Sequence, residues 1–413
     1  MAARNTTTAG NTSSRTTATP SVKFSWPLFD SKGTEFSYYG INNYVDLEAD
    51  TVLRDPLGNY LSGLQDYNCG TRTYDGHNGL DIDLRPYSWK MTTDETVWVV
   101  AAADGIIVDG DDGNTDGNCE LDSFTGPIWG NYLALMHDDS TISAYIHMKS
   151  GSVIPVTVGQ RITRGQFLGV VASSGRSTGP HLHFGVYINN VFNGSGSVNT
   201  YGNLQEPFYG PCNTNLPSFW VSQKPYNEPS VIAIETHNNP PGLYTSNCDK
   251  TVNLYYDKTF SAGDIVYTRT WLRDWVDLTP VAVQLISPSG TVLSNNTRTN
   301  PNKRRDRNLD ENFLLSASAP SGTYTVRVVF DGKVWERYFI VGCVQNYTVS
   351  GTLTGPKGYI AGNSIITTQV IESGSDNKVE YHSDGEIVFN VGFHAKAGSV
   401  VIADRKGCTG GYN

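Results

Sequence analysis

The sequence has few of the patterns that long helices require. Its 413 residues contain scarcely any sustained apolar repeat at a spacing of three and four residues, which excludes a helical bundle or coiled coil as the main architecture. Short runs rich in valine, isoleucine, tyrosine and threonine alternate instead with glycine, asparagine, aspartate and proline. This alternation is typical of β-strands joined by turns, and we expect an all-β protein.

Long apolar runs and dense positive charge are also lacking. The longest apolar run is VWVVAAA at 97–103, far shorter than the roughly 20 residues that cross a bilayer, so we expect no membrane span. The formal net charge is −10. A nucleic-acid-binding protein would show a basic face instead, so we expect no nucleic-acid partner. These features do not predict the oligomeric state.

The six cysteines lack the CxxC spacing of a structural zinc site. An even number of widely spaced cysteines in a β-rich chain favours three disulfides and an oxidising compartment, with free thiols in a reducing compartment as the alternative. We expect neighbours along the chain to pair, as Cys69–Cys119, Cys212–Cys248 and Cys343–Cys408.

Composition divides the chain into five expected parts. Residues 1–22 are rich in threonine and serine without the apolar core of a signal peptide, and we expect a disordered tail. Residues 23–225 hold five of the eight histidines and every motif-like cluster, so the functional domain is expected there. A linker is expected at 226–249, an immunoglobulin-like β-sandwich at 250–343 and a small C-terminal β module at 344–413.

Two histidines alternate with apolar residues in HLHF, at 181–184. Since successive side chains of a strand point to opposite faces, His181 and His183 should share one face while the leucine and phenylalanine anchor the other in the core. Upstream, HNGLD places His77 and Asp81 four residues apart in a loop that enters a strand. Imidazole and carboxylate groups are ordinary zinc ligands, so this loop suits a divalent metal.

A further histidine lies on the second strand of a β-hairpin predicted at 130–151. Alternation along that strand places Ser143, Tyr145 and His147 on one face. His137 lies near the turn of the hairpin, and we expect it to be structural rather than catalytic.

An acidic segment, DGNTDG at 112–117, precedes this hairpin. Its oxygen-bearing side chains at alternate positions match the first half of a calcium-binding loop, with Asp112, Asn114 and Asp116 as candidate ligands. The position at which such a loop carries glutamate is Ser123 here. A solvated acidic loop is therefore the alternative to a calcium site.

Together, the motifs HNGLD, YIHM and GQRITRGQFLGVVASSGRSTGPHLHF resemble those of the M23 metallopeptidases, the lysostaphin-like and β-lytic endopeptidases. The resemblance covers roughly residues 70–190. Two departures are Met148, where the family usually has leucine, and an insertion at 109–127. The resemblance implies an M23-type β-sheet peptidase domain, followed by the two β accessory modules.

The resemblance also implies a role for each of the five motif residues. His77, Asp81 and His183 would be zinc ligands, leaving a fourth position for water. We expect the second ring nitrogen of His183 to be held by an acceptor. His147 and His181 would be catalytic: His147 as the base and His181 as the group that stabilises the oxyanion or the leaving amine, although these roles could be exchanged.

The implied protein is a secreted or cell-surface zinc endopeptidase. Its implied substrate is bacterial cell-wall peptidoglycan, cut in glycine-rich or small-residue cross-links or in stem peptides. One alternative is a secreted protease of glycine-rich, elastin-like extracellular proteins. The other is a non-catalytic cell-wall-binding protein on a peptidase scaffold, although the chain keeps all five motif positions.

Overall fold

The computed structural model forms two compact units. It describes residues 21–34, 36–47, 53–54, 60–61, 63–121, 126–188, 198–200, 204–205, 212, 218–242, 248, 257–276, 278–300 and 306–408. The first unit takes in the described residues of Met1–Ser31, Ile41–Asp83 and Thr92–Lys224, and the second those of Lys32–Gly40, Leu84–Met91 and Pro225–Asn413. The expected domain boundaries stay predictions, and residues 1–20 of the expected tail lie outside the described residues.

The described part of the chain before residue 225 consists of short strands and one short helix. In chain order these are β1 (Leu28–Asp30), β2 (Tyr39–Asn43), β3 (Leu53–Arg54), β4 (Tyr60–Leu61), β5 (Leu80–Leu84), α1 (Ser88–Thr93), β6 (Val97–Val100), β7 (Gly105–Asp111), β8 (Asn131–Met136), β9 (Ile142–Met148), β10 (Arg161–Ile162), β11 (Phe167–Val170), β12 (His181–Tyr187), β13 (Val198–Asn199) and β14 (Leu204–Gln205).

Seven of these strands form one sheet, in the order β10-β7-β8-β9-β12-β5-β2. Strand β12 lies between β9 and β5 and is antiparallel to both. A three-stranded sheet, β1-β6-β11, accompanies it. Leu182 and Phe184 are buried, and the ring of Phe184 contacts those of Phe24 and Tyr145. The expected core face of HLHF is thus confirmed.

A β-sandwich follows in the second unit. Its strands are β15 (Ser230–His237), β16 (Thr259–Phe260), β17 (Ile265–Arg273), β18 (Val281–Ile286), β19 (Val292–Arg298), β20 (Arg307–Leu314), β21 (Gly322–Phe330) and β22 (Lys333–Val341). They form sheets β15-β17-β20 and β16-β22-β21-β18-β19, with one apolar core contributed by both. Strand β15 lies within the expected linker, because its apolar residues, such as Val231 and Ile234, pack into that core. The immunoglobulin-like assignment stays a prediction.

The C-terminal module is a stack of three chain turns with parallel strands. Its strands are β23 (Asn346–Val349), β24 (Thr352–Leu353), β25 (Lys357–Ala361), β26 (Ser364–Thr367), β27 (Val370–Ile371), β28 (Lys378–Ser383), β29 (Glu386–Phe389), β30 (His394–Ala395) and β31 (Val400–Asp404). Each of its sheets, β23-β26-β29, β24-β27-β30 and β25-β28-β31, takes one strand from every turn. Aligned side chains stack between turns, as the rings of Tyr359 and Tyr381 do at 5.6 Å.

The disulfides correct part of the expected pairing. Cys343 is bonded to Cys408, as expected, but Cys69 is bonded to Cys212 across 143 residues of sequence. The expected bonds Cys69–Cys119 and Cys212–Cys248 are therefore wrong. The start of β5 pairs with the later part of β12, so the chain before β5 and the chain after β12 leave the sheet at the same end.

The structure contains little helix. Among the described residues, no helix is long and apolar enough to cross a membrane.

Candidate metal centre

Two adjacent strands and the loop before one of them bring three potential metal ligands together. His183 on β12 lies opposite Asp81 on β5, and the loop that enters β5 supplies His77. Nδ1 of His183 lies 2.9 Å from Oδ1 of Asp81, and Nε2 of His77 lies 3.1 Å from the same oxygen. The two ring nitrogens are 3.3 Å apart. All three residues are buried.

This triangle of donor atoms fits tetrahedral zinc. Zinc bonds of about 2.0–2.2 Å place neighbouring ligands of a tetrahedron about 3.3–3.6 Å apart. The three separations of 2.9, 3.1 and 3.3 Å are slightly shorter than that. Two imidazoles and one carboxylate are also the type of donor set that a catalytic zinc uses. The residues present therefore match the group that the motifs imply.

Outer contacts orient two of these ligands. The Nδ1–H of His77 donates to the carbonyl of Tyr44 at 2.7 Å, which directs its Nε2 lone pair toward the other two donors. The Asn43 amide donates to Oδ2 of Asp81 at 3.0 Å and leaves Oδ1 facing the two rings. Neither Asn43 nor Tyr44 belongs to a motif, so the sequence patterns did not single them out.

His183 is held by packing rather than by the expected acceptor. No hydrogen-bond partner of its Nε2 occurs among the residues that the structure describes. A Cβ atom at Gly79 would lie 2.4 Å from Nε2 and 2.6 Å from Cε1 of His183. The imidazole ring of His183 therefore occupies the space that a side chain at Gly79 would fill.

Burial and neighbouring charges shift the pKa values of the three candidate ligands. Burial would raise the pKa of Asp81, but the charges of His77 and His181 and hydrogen bonds from the two ligand histidines hold it well below its ordinary value. Burial lowers the pKa of His183. Burial would also lower the pKa of His77, but Asp81 and the Tyr44 carbonyl raise it overall. Protons should thus compete with a metal chiefly at His77 as the pH falls.

The other two motif histidines lie beside this triangle. The rings of His147 and His181 are 4.8 Å apart, and Nε2 of His181 is 3.6 Å from Oδ1 of Asp81. Nδ1 of His147 donates to the Ser174 carbonyl at 2.7 Å, and Nδ1 of His181 donates to the Gly179 carbonyl at 2.8 Å. Because Nδ1 of each ring is bound to a backbone carbonyl, Nε2 is the ring nitrogen that can exchange a proton with water or substrate.

His147 is poised to accept a proton. Burial, together with the charges of His181 and His183, lowers the pKa of His147 well below its ordinary value. The ring is therefore neutral at neutral pH, with its proton on Nδ1 and a free lone pair on Nε2. This is the state that a general base needs.

The backbone at His147 departs from strand geometry, which corrects the predicted face. Tyr145 pairs with Phe184 on β12, and the two rings pack 5.4 Å apart on the core face. Regular alternation would direct His147 to that face as well. Instead, φ of His147 is +71°, and its ring lies 6.1 Å from that of His183. The prediction that Ser143, Tyr145 and His147 share a face is thus wrong.

His137 is structural, as expected. Its Nδ1 bonds to the Asp104 carbonyl at 2.7 Å, and its Nε2 bonds to the Ser143 hydroxyl at 2.8 Å. Burial lowers its pKa, so the neutral ring serves as a buried hydrogen-bonding link.

The acidic segment gives no support to a calcium site. Oδ1 of Asp112 accepts hydrogen bonds from the backbone N–H groups of Gly113 and Gly151, and Oδ2 of Asp116 accepts one from a neighbouring loop. The Asn114 amide donates to nearby oxygens. Within the described part of the chain, only one cluster of three or more histidine, cysteine or acidic residues could hold a metal ion. It consists of His77, Asp81 and His183. Ser123 lies outside the described residues.

The fold and site define a β-sheet domain with the centre of a metallopeptidase. Residues 75–195, which include all five motif residues, match the model of peptidase family M23. The chain therefore contains an M23 metallopeptidase domain.

Curated relatives match a short part of the chain. The peptidoglycan DD-endopeptidase ShyA of Vibrio cholerae is 41% identical over 58 residues, which are 14% of this chain and 13% of that protein. ShyB of the same organism, also a peptidoglycan DD-endopeptidase, is 41% identical over 64 residues, 16% of this chain and 14% of that protein. The chain thus spans about a seventh of the length of these relatives.

Solved structures with some likeness include two M23 proteins. The catalytic domain of the prophage-encoded M23 protein EnpA from Enterococcus faecalis is 22% identical, with a TM-score of 0.23, over 40% of this chain and 90% of that one. The deep-sea M23 metalloprotease pseudoalterin is 15% identical, with a TM-score of 0.24, over 44% of this chain and 78% of that one.

Proposed function

We propose that this protein is a secreted, zinc-dependent endopeptidase that hydrolyses peptide bonds of bacterial cell-wall peptidoglycan. The observation that carries the proposal is the buried triangle of His77, Asp81 and His183 with two further histidines beside it. The names of the Vibrio cholerae relatives support peptidoglycan as the substrate. The disulfides support an oxidising compartment outside the cytoplasm. Glycine-rich or small-residue cross-links and stem peptides are the proposed targets.

In the proposed mechanism, His77 Nε2, Asp81 Oδ1 and His183 Nδ1 hold the metal. When bound, zinc supplies Lewis-acid chemistry, which activates water near neutral pH and polarises the scissile carbonyl. His147 takes the proton of the attacking water on Nε2, while its Nδ1–H stays on the Ser174 carbonyl. His181 faces the same space, and in its protonated form its Nε2–H can stabilise the oxyanion or pass a proton to the leaving amine.

The test uses the zinc-loaded full chain on purified peptidoglycan and, separately, on a glycine-rich protein such as elastin. We expect soluble peptide fragments with new amino termini from peptidoglycan, abolished by a chelator and restored by zinc. His183→Ala should be inactive. His394→Ala, which removes an exposed histidine of the C-terminal module, should retain full activity as the matched control.

The other outcomes separate the alternatives. Cleavage of the glycine-rich protein alone would identify an extracellular protease. Binding of peptidoglycan without cleavage by the zinc-loaded protein would indicate a binding module. Cleavage that resists the chelator, or that survives in His183→Ala, would refute the zinc mechanism.

A further inference from the structure

The loop between β11 and β12 carries an arginine at the site. Its sequence SSGRSTGP, residues 173–180, leads directly into His181. The carbonyl of Ser174 accepts the Nδ1–H of His147, and the Ser177 hydroxyl lies 3.3 Å from Nδ1 of His181. Arg176 is thus on the chain between two residues that touch the two proposed catalytic rings.

The backbone of this loop is tightly held. The N–H of Arg176 donates to the Ile128 carbonyl at 2.8 Å. The Asn118 amide donates to the Gly175 carbonyl at 2.7 Å. Gly175 has a φ of +69°, and a Cβ there would lie 2.4 Å from the backbone nitrogen of Gly130. The position from which the arginine side chain extends is therefore fixed before any substrate binds.

The side chain of Arg176 is exposed and could bind a ligand, whereas its backbone N–H is already hydrogen-bonded. Its guanidinium forms neither a hydrogen bond nor an ion pair with any residue that the structure describes. The exposed Tyr74 lies close by: its ring is 4.4 Å from that of His77. Its hydroxyl also has no hydrogen-bond partner among those residues.

The two groups lie beside the same cluster of histidine rings. Tyr74 packs on the ring of His77, which is 5.1 Å from that of His183. In the loop of Arg176, Ser174 and Ser177 contact the rings of His147 and His181. An exposed cation and an exposed hydroxyl, neither with a hydrogen-bond partner among the described residues, therefore flank the proposed metal site.

We propose that Arg176, assisted by the Tyr74 hydroxyl, binds a carboxylate of the peptide substrate next to the scissile bond. The planar guanidinium matches a carboxylate with two parallel hydrogen bonds, which a lysine or an amide cannot reproduce. This inference rests on the proposed function and narrows its substrate class. Peptides with a free carboxylate beside the scissile bond, such as peptidoglycan stems, are preferred over neutral glycine-rich chains.

The test compares two forms of one substrate. The first is a cross-linked peptide dimer purified from peptidoglycan, and the second is the same dimer with its carboxylates converted to carboxamides. For the wild type, kcat/KM should be about tenfold higher on the carboxylate dimer, mainly through a lower KM, as expected of a charged hydrogen-bonded pair that stays partly solvated.

Variants assign that preference to the arginine. Arg176→Gln should lower kcat/KM about tenfold on the carboxylate dimer and leave the amidated dimer within about twofold. Arg176→Lys should retain part of the preference. Tyr74→Phe, which keeps the ring on His77, should also lower the ratio of kcat/KM on the carboxylate dimer to kcat/KM on the amidated dimer. Arg161→Gln is the matched control, because Arg161 is an exposed arginine on β10, the far edge of the seven-stranded sheet.

The outcomes distinguish this inference from the proposed function. Equal cleavage of both dimers by the wild type would overturn the inference and leave the peptidase activity standing. So would an Arg176→Gln variant that loses the same factor on both dimers, or on neither. Failure of the zinc-loaded wild type to cleave either dimer would overturn the proposed function, and the inference with it.

Discussion

Replacing Gly79 by alanine should displace a proposed zinc ligand without changing any ligand residue. The new Cβ would lie 2.4 Å from Nε2 of His183, whereas ordinary contact begins near 3.4 Å, so the ring must move by about 1 Å. The Cβ would also meet the backbone carbonyl oxygen of Phe184 at 3.0 Å, and backbone cannot easily move away. Ligand distances at a zinc site tolerate about 0.2 Å. We therefore expect zinc affinity to fall by at least about 10- to 100-fold.

Competition with a chromogenic chelator measures this loss directly. Overpacking should also lower the free energy of unfolding by about 1–3 kcal/mol, so folding is checked by circular dichroism at the assay temperature. Gly179→Ala is the matched control: it belongs to the same site, but a Cβ there meets nothing within 4 Å. Wild-type zinc affinity in a folded Gly79→Ala variant would refute the view that this glycine makes room for the ligand ring.

Three further predictions concern pH and stability. At saturating zinc, the acid limb of kcat/KM should lie below about pH 6.5, because the pKa of His147 is lowered and a base must be unprotonated; a midpoint above pH 7 would contradict this role. Replacing Cys343 and Cys408 together by serine opens a loop of 65 residues and should cost about 4 kcal/mol in chemical denaturation, while an unchanged midpoint would contradict this estimate. Burial would raise the pKa of Glu380, but His382 and Lys378 lower it to about 2, so its stabilisation is present above the ordinary value of 4.5 and is lost as the pH falls toward 2. Between pH 4.5 and pH 2, the free energy of unfolding of the wild type should fall by about 3 kcal/mol more than that of Glu380→Gln, as measured by chemical denaturation. Parallel pH profiles of the two proteins would refute this prediction.

Strand alternation and the resemblance to the M23 motifs named the three residues that the structure brings together at the centre of the site. The period of two predicted that Leu182 and Phe184 lie in the core, where the structure has them. The loop predicted to enter a strand does so at Leu80, directly after HNG. The sequence did not predict the register in which β12 and β5 pair, and this register places His183 opposite Asp81. The roles of the individual histidines remain proposals.

Other features depend on geometry that periodicity does not encode. The positive φ of His147 interrupts the alternation, so a side chain that the pattern assigned to the face of Tyr145 reaches the metal site instead. The bond from Cys69 to Cys212 joins the chain before β5 to the chain after β12, and the sequence patterns do not predict that these segments meet. The stacked C-terminal module pairs strands in parallel between successive turns, and such pairing leaves no hairpin signal.

The most direct test of the central claim measures zinc content and peptidoglycan hydrolysis together in two variants. His147→Gln should keep one zinc per chain and lose activity by about 100-fold or more, because it removes a base and no ligand. His183→Ala should lose both the zinc and the activity. If His147→Gln loses its zinc as His183→Ala does, or if His183→Ala stays loaded and active, the proposed division between metal ligands and catalytic histidines is wrong.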